Sequence, residues 1–142
     1  FKGTDITLAV NSIIGFPDEI RDLVFETIEL NREMTKYVFQ INAYYFVPYH
    51  GSPLRKVAIE KGYLDEEEQV SHINKDTILN SPYLSRDEIR GLVRTFTLYS
   101  RFPKNRWKDI EIAEKLDQKG DKMFAELQQE YWSKYLRVKF VD

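Results

Sequence analysis

Two apolar runs in this chain each end in a short turn rich in proline and glycine, and an amphipathic helix pattern separates them. The first run, 6–14, ends at Gly15 and Pro17, and the second, 37–47, ends at Pro48. The order strand, turn, helix, strand, turn, helix is typical of a parallel barrel or an open α/β sheet. Ligands bind to the loops after the strands in such folds, so both turns are candidate ligand-binding loops.

The residue patterns also predict bounds for these elements. The first strand is almost continuously apolar at its end, which is typical of a strand covered on both faces. The first helix is expected over 19–34, with acidic residues in its first turn. Ser52 has the properties of an N-cap, with Pro53 at the first position of a second helix that ends before Gly62.

The second half of the chain is predicted to contain an irregular polar stretch and then helices. Residues 64–84 include a run of four acidic residues, which is most simply a solvated loop or helix start. A capping box formed by Ser85 and Glu88 begins a helix that ends before Pro103. A last long helical region follows, with Gly120 as the residue expected to kink or divide it.

The composition of the chain excludes several classes of partner and of chemical site. The net charge of −2 provides no basic field that would attract nucleic acid or an anionic membrane. There is no long uncharged apolar stretch and no signal-peptide pattern, so the cytoplasm is the expected compartment. The absence of cysteine excludes disulfides, thiolate metal ligands and a cysteine nucleophile within this chain. The two histidines, His50 and His72, lack the spacing of a metal-binding pair, so no metal site is predicted.

The two turns hold the residues that could carry chemistry. Gly15 would let the backbone approach a ligand closely, while the acids Asp18 and Glu19 would favour a cationic or zwitterionic ligand over a phosphate. The plainer interpretation is a tight strand-to-helix turn with a helix-capping acid. In the second turn, Tyr49 could stack on a flat ring and His50 could exchange a proton, although one histidine in a turn is more often only solvated. These residues predict a ligand-binding edge but no reaction.

Four short segments carry a likeness to one enzyme superfamily: Ile-Ile-Gly-Phe-Pro-Asp-Glu-Ile at 13–20, Phe-Glu-Thr-Ile-Glu-Leu at 25–30, Pro-Tyr-His-Gly-Ser-Pro-Leu at 48–54 and Glu-Lys-Gly-Tyr at 60–63. In this order and spacing they resemble the C-terminal part of the radical S-adenosylmethionine (radical SAM) barrel. The likeness is greatest to members related to the cobalamin-binding subgroup. The resemblance implies an α/β fold: residues 1–64 as the last two strand–helix units of a partial six-stranded (β/α) TIM-like barrel, and residues 65–142 as a loop and helical tail.

The resemblance also implies a ligand for the two turns. In the superfamily, a Gly-x-Ile-x-Gly-x-x-Glu pattern at the first turn contacts the adenine of S-adenosylmethionine. Asn11 stands at the first glycine position of that pattern, and Asp18 stands at its final acidic position, next to Glu19. The implied cofactor-binding residues are Asn11, Ile13, Gly15, Asp18, Glu19, Val47, Pro48 and Tyr49. His50 is implied on the substrate side of the same pocket.

The chemistry of the superfamily depends on a 4Fe-4S cluster held by three cysteines, which donates one electron to S-adenosylmethionine and releases a 5′-deoxyadenosyl radical. Because this chain has no cysteine, the cluster is expected in a missing N-terminal part of the same protein. The start at Phe1 agrees with that expectation. Cobalamin is a further candidate cofactor of the parent, and the chain alone is expected to be inactive. Methyl transfer, methylthiolation, ring closure and rearrangement all stay open as the parent's reaction.

Other function classes stay open as well. A phosphate- or sugar-binding half-barrel would need basic or backbone donors at the turns. A non-catalytic helical interaction module would place Trp107, Trp132 and several tyrosines at a partner surface. The stretch 66–84, by its length and position, is a candidate part of a substrate entrance. An open sheet edge in a half-barrel also predicts a homodimer or segment exchange.

Overall fold

The computed structural model describes residues 6–70 and 76–135, which form two parallel strands and five α-helices. The strands are β1 (Ala9–Ile14) and β2 (Gln40–Tyr45). The helices are α1 (Arg21–Met34), α2 (Pro53–Glu60), α3 (Arg86–Arg101), α4 (Trp107–Glu114) and α5 (Gln118–Lys134). The mixed α/β class predicted from the sequence is confirmed. In the parts of the chain that are described, no helix is both long enough and apolar enough to cross a bilayer.

β1 and β2 pair in parallel, and α1 forms the crossover between them. The register places Ala9 opposite Gln40 and Ile14 opposite Tyr45, so both strands end at the same level. The amide of Phe46 continues the pairing by donating to the carbonyl oxygen of Ile14 at 2.7 Å. Because parallel strands end at one edge of a sheet, the two turns that follow them lie side by side.

The helices cover only one face of this sheet. Ile14 and Ile41 belong to the core between the sheet and the helices, whereas Ile13 and Tyr44 expose 51% and 45% of their surface. The expectation that the first strand is covered on both faces is therefore wrong for the described residues. Alternate side chains of a strand point to opposite faces, and elements distant in sequence decide whether each face is covered.

α3 is the helix around which the main core is built, because it packs on β2, α1, α4 and α5. Its predicted capping box is confirmed: the Ser85 hydroxyl accepts from the Glu88 amide, and the Glu88 carboxylate accepts from the Ser85 amide. The predicted break is confirmed too, since α3 ends just before Phe102. The large side chains fully buried in this core are Ile14, Ile28, Ile41, Leu84, Ile89, Leu92, Phe96, Tyr99, Phe102, Ile110 and Leu127.

The last helical region is divided at 115–117 and not, as expected, at Gly120. Asp117 begins α5 as its N-cap by accepting a hydrogen bond from the Gly120 amide at 2.7 Å. A Cβ atom at Gly120 would overlap the carbonyl oxygen of Lys115. Glycine is needed here because the preceding turn passes so close, and a close approach of this kind cannot be inferred from helix propensity.

Gly91 lets α3 and α4 approach closely, and replacing it tests that contact. A Cβ atom here would overlap the carbonyl oxygen of Glu114 and lie 2.8 Å from the Glu114 Cγ. In an exposed helix interior, the change from glycine to alanine stabilises the folded protein by about 0.5–1 kcal/mol. The sign of the effect on the free energy of unfolding therefore distinguishes an exposed position from a close helix contact. We expect Gly91→Ala to lower the free energy of unfolding by about 1–3 kcal/mol in a urea titration.

A matched control is Glu126→Ala, an exposed position on α5. This variant is expected to change the free energy of unfolding by no more than about 0.5 kcal/mol. A stabilising effect of Gly91→Ala would contradict the close approach of α3 and α4.

Candidate functional site

The structure places the predicted site residues at and just before the aligned ends of β1 and β2. Asn11 and Ile13 lie in β1, Gly15, Asp18 and Glu19 in the first turn, and Val47, Pro48, Tyr49 and His50 in the second. Asn11, Ile13, Asp18, Tyr49 and His50 are exposed, Glu19 and Val47 are half-buried, and Gly15 and Pro48 are buried. The rings of Phe16 and Phe46 pack with centroids 4.8 Å apart, which holds the two turns together.

Glu19 closes the first turn through backbone contacts. Its Oε2 accepts hydrogen bonds from the amides of Gly15 at 2.5 Å and Phe16 at 3.3 Å. Burial raises the pKa of the Glu19 carboxyl, and these two hydrogen bonds oppose that shift. The acid therefore caps the turn and not the helix, since α1 begins only at Arg21, two residues later than expected. Of the acids predicted in its first turn, only Asp22 lies there.

Gly15 has a role in the fold that needs no ligand. Its φ angle is +88°, a conformation that residues with a Cβ rarely adopt. A Cβ atom would also lie 3.2 Å from the Cγ2 of Ile89 on α3. The glycine thus allows the first turn to pack on α3, while its amide is occupied by Glu19.

Asp18 connects the first turn to the end of α2. Its carboxylate forms an ion pair with Lys61 at 2.5 Å, and both side chains are substantially exposed. This hydrogen bond to Asp18 raises the pKa of the Lys61 ammonium group. Exposed pairs contribute little stability, so the pair orients the turn more than it stabilises the fold.

The second turn leaves two ring side chains accessible. Its backbone is held by hydrogen bonds from the Tyr49 amide to the Val47 carbonyl at 2.9 Å and from the Ser52 amide to the Tyr49 carbonyl at 3.1 Å. Ser52 caps α2, with Pro53 at its start, as predicted. Tyr49 exposes 52% of its surface, and the side chain of His50 is also exposed. The turn can therefore offer a stacking surface and a solvated imidazole.

A buried arginine that the sequence patterns did not single out, Arg55, holds the second turn in place. Only 4% of its surface is exposed. Its guanidinium donates to the carbonyl oxygens of Pro48 at 3.1 Å, and of Glu66 and Glu68 at 2.8 Å each. The available signal was its position one helical turn before Ala58, on the face of α2 that is buried.

The irregular stretch packs against both turns. Arg55 attaches 66–68 to the second turn, and the Ser81 hydroxyl donates to the Pro17 carbonyl of the first turn at 3.2 Å. A small second core joins these parts; its buried members are Phe46, Ala58, Leu64 and Leu79. Residues 71–75 of the predicted entrance, which include His72, lie outside the described residues.

The uncovered face of the sheet completes the site. Close to the turns it presents the apolar side chain of Ile13 and the ring of Tyr44, which are paired across the strands. Nearer the strand starts it presents amides: Asn42 donates to the Asn11 Oδ1 at 2.9 Å and accepts from Gln40. A planar apolar ligand would therefore meet a suitable surface only at the end next to the turns.

The described residues contain no group of three or more His, Cys, Asp or Glu side chains that could hold a metal ion. An iron–sulfur cluster needs thiolate ligands, and the chain has no cysteine, so its own residues do not fit such a cluster.

Comparison of the chain with protein-family models, with curated proteins and with solved structures finds no match. No relative therefore assigns an activity to these turns.

The raised pKa of Glu19 gives a pH-dependent prediction. Because the folded-state pKa lies above the ordinary value of 4.5, the folded protein binds the proton more tightly than the unfolded chain. The contribution of Glu19 to stability is therefore complete below pH 4.5 and is lost as the pH rises through the folded-state pKa. We expect carboxyl-carbon NMR to report a Glu19 pKa above 4.5. We also expect wild type to lose stability relative to Glu19→Gln over that interval. A measured pKa at or below 4.5 would contradict the burial of this carboxyl group.

The role of Arg55 gives a second prediction. We expect Arg55→Met to lower the free energy of unfolding by about 1–3 kcal/mol, because three carbonyl oxygens lose their donors. Lys56→Met is the matched control, since the Lys56 side chain is 79% exposed and its pair with Glu60 is exposed too. Equal urea midpoints for the two variants would show that the guanidinium does not hold the turn.

Proposed function

We propose that this chain is the C-terminal part of a radical SAM enzyme and that its two turns form part of the S-adenosylmethionine pocket. One observation supports this most: two parallel strands end at the same level, with helices on one face only. The wall of a (β/α) barrel has this layout, because its helices lie outside and its ligand-binding loops follow the strands. In such a barrel the uncovered face with Ile13 and Tyr44 would face the interior.

Within that proposal, the side chains and not the amide of Gly15 would meet the adenine ring. The Gly15 amide already donates to Glu19, so it is not free to bind a ligand. Ile13 and Tyr44 are exposed beside the turns and offer an apolar and an aromatic surface for packing. Tyr49 would extend this surface from the second turn, and His50 would lie beyond it on the substrate side.

The residues present indicate what this chain would contribute and what other parts of the protein would supply. A cluster bound elsewhere in the parent would supply the electron, and cobalamin is a further candidate cofactor there. This chain would contribute binding and orientation, and it would be inactive without the N-terminal part. The parent would cleave S-adenosylmethionine reductively; no residue here chooses among the reactions open to it.

A second candidate, a non-catalytic interaction module, is favoured by Trp132. This side chain is 63% exposed on α5 and lines a groove of about 440 Å³ that also contains Phe39. Trp107 counts against it, because its ring packs against Phe25 and Tyr99 with centroids 5.5 and 5.3 Å apart. A phosphate- or sugar-binding site has less support, since two cations that contact the turns, Lys61 and Arg55, are already bound to Asp18 and to backbone carbonyls.

Titration of the isotopically labelled chain with S-adenosylmethionine tests the pocket directly. We expect NMR shift changes at the amides of 13–16 and of Val47, Tyr49 and His50, with a dissociation constant on the order of 1 mM, because only part of the pocket is present. Ile13→Asp should weaken these changes at least about tenfold by removing the apolar surface. Leu116→Asp, exposed between α4 and α5, is the control and should leave them unchanged. Shifts absent at saturating ligand, or insensitive to Ile13→Asp, would contradict the proposed pocket.

The reading frame that encodes this chain provides the decisive test of the parent's chemistry. A Cys-x-x-x-Cys-x-x-Cys segment upstream, followed by anaerobic reconstitution of a 4Fe-4S cluster in the complete protein, is the expected result. A complete reading frame without such a segment would reject the radical assignment.

A further inference from the structure

The two edges of the sheet differ in what packs beside them. Among the described residues β2 pairs only with β1, and α3 packs beside β2. The Thr97 hydroxyl on α3 donates to the Ile41 carbonyl at 2.9 Å, and Arg101 donates to the carbonyls of Val38 and Phe39 at 2.9 and 3.0 Å. In the same described part of the chain, no strand pairs with the other edge of β1. A free edge of this kind is a template for pairing with a further strand.

Next to the free edge of β1, α1 exposes apolar side chains. Phe25 packs on Tyr99 of α3, and Arg32 donates to the Tyr99 carbonyl, so this flank of α1 faces α3. At about 100° per residue, Leu23 and Leu30 lie on the opposite flank, where they expose 44% and 61% of their surface. Because α3 lies toward β2, the exposed flank lies toward β1. We call the free edge of β1 together with Leu23 and Leu30 the β1-side surface.

The charge next to this surface limits what can cover it. Asp22, Glu26 and Glu33 form an exposed acidic row along α1, and no cation pairs with them in the described part of the chain. Glu29, by contrast, pairs with Arg32 and Lys104. A second copy docked about a two-fold axis would bring two acidic rows together, which is unfavourable. A helix carrying Lys or Arg would neutralise the row.

We propose that the β1-side surface binds a further parallel strand together with an amphipathic helix whose outer edge is basic. The strand would pair with β1, and the helix would pack on Leu23 and Leu30 with its cations facing Asp22 and Glu26. This repeats, on the other side, the arrangement in which β2 and α3 pack on β1 and α1. The inference rests on the proposed function, in which the added unit is another part of the same barrel.

The test compares the complete product of the encoding reading frame with the 142-residue chain. Hydrogen exchange is followed at the β1 amides, together with thermal unfolding of Leu30→Asp. In the complete protein we expect free-edge amides of β1 to exchange at least about tenfold more slowly than in the chain alone. Leu30→Asp should lower the Tm of the complete protein by about 5 °C or more and that of the chain by less than about 2 °C. Leu116→Asp is the control and should have a small effect in both.

Every other result of this test either overturns or keeps the inference. Equal exchange of the β1 amides in both proteins, with Leu30→Asp as mild as Leu116→Asp, would overturn the inference. So would a dimer of the 142-residue chain, seen by light scattering, that Leu30→Asp dissociates, because the occupant would then be a second copy. Protection of β1 without any S-adenosylmethionine binding would keep the inference and reject the proposed function. Binding of S-adenosylmethionine with an unprotected β1 edge would overturn the inference and keep the proposed function.

Discussion

The parallel pairing of β1 with β2 is the interaction on which the rest of the structure depends. It aligns the ends of the two strands, so that Phe16 and Phe46 can pack and the two turns become one surface. It also sets the direction of α1, which crosses over one face and leaves the other face uncovered. Without this register, Ile13 and Tyr44 would not lie opposite each other beside the turns.

Arginine side chains hold the irregular segments to this framework by donating to backbone carbonyls. Arg55 binds carbonyls of the second turn and of the acidic stretch, Arg32 binds those at the end of α3, and Arg101 binds those before β2. Arg94 donates likewise to the turn between α4 and α5. A planar guanidinium can satisfy several carbonyls at once, which suits chain segments that lack their own backbone partners. Loop positions here therefore depend on a few long-range contacts.

Local patterns predicted the elements that depend on local physics. The caps at Ser52 and Ser85 follow from hydrogen bonds within a few residues. The predicted helix boundaries failed where the conformation of a short turn decides them. The division of the last helix depends on the approach of Lys115 to Gly120, and the later start of α1 depends on the closure of the first turn by Glu19.

The sequence by itself determined the α/β class, the order of the elements and the two turns as the candidate ligand edge, because periodicity, capping and turn residues act locally. Only the tertiary structure decided that one sheet face is bare, that Arg55 is buried and that the Gly15 amide is occupied by Glu19. These outcomes depend on which surfaces meet after the chain has folded. Side-chain alternation is compatible with a covered or a bare sheet face, so no local pattern could have distinguished those two results.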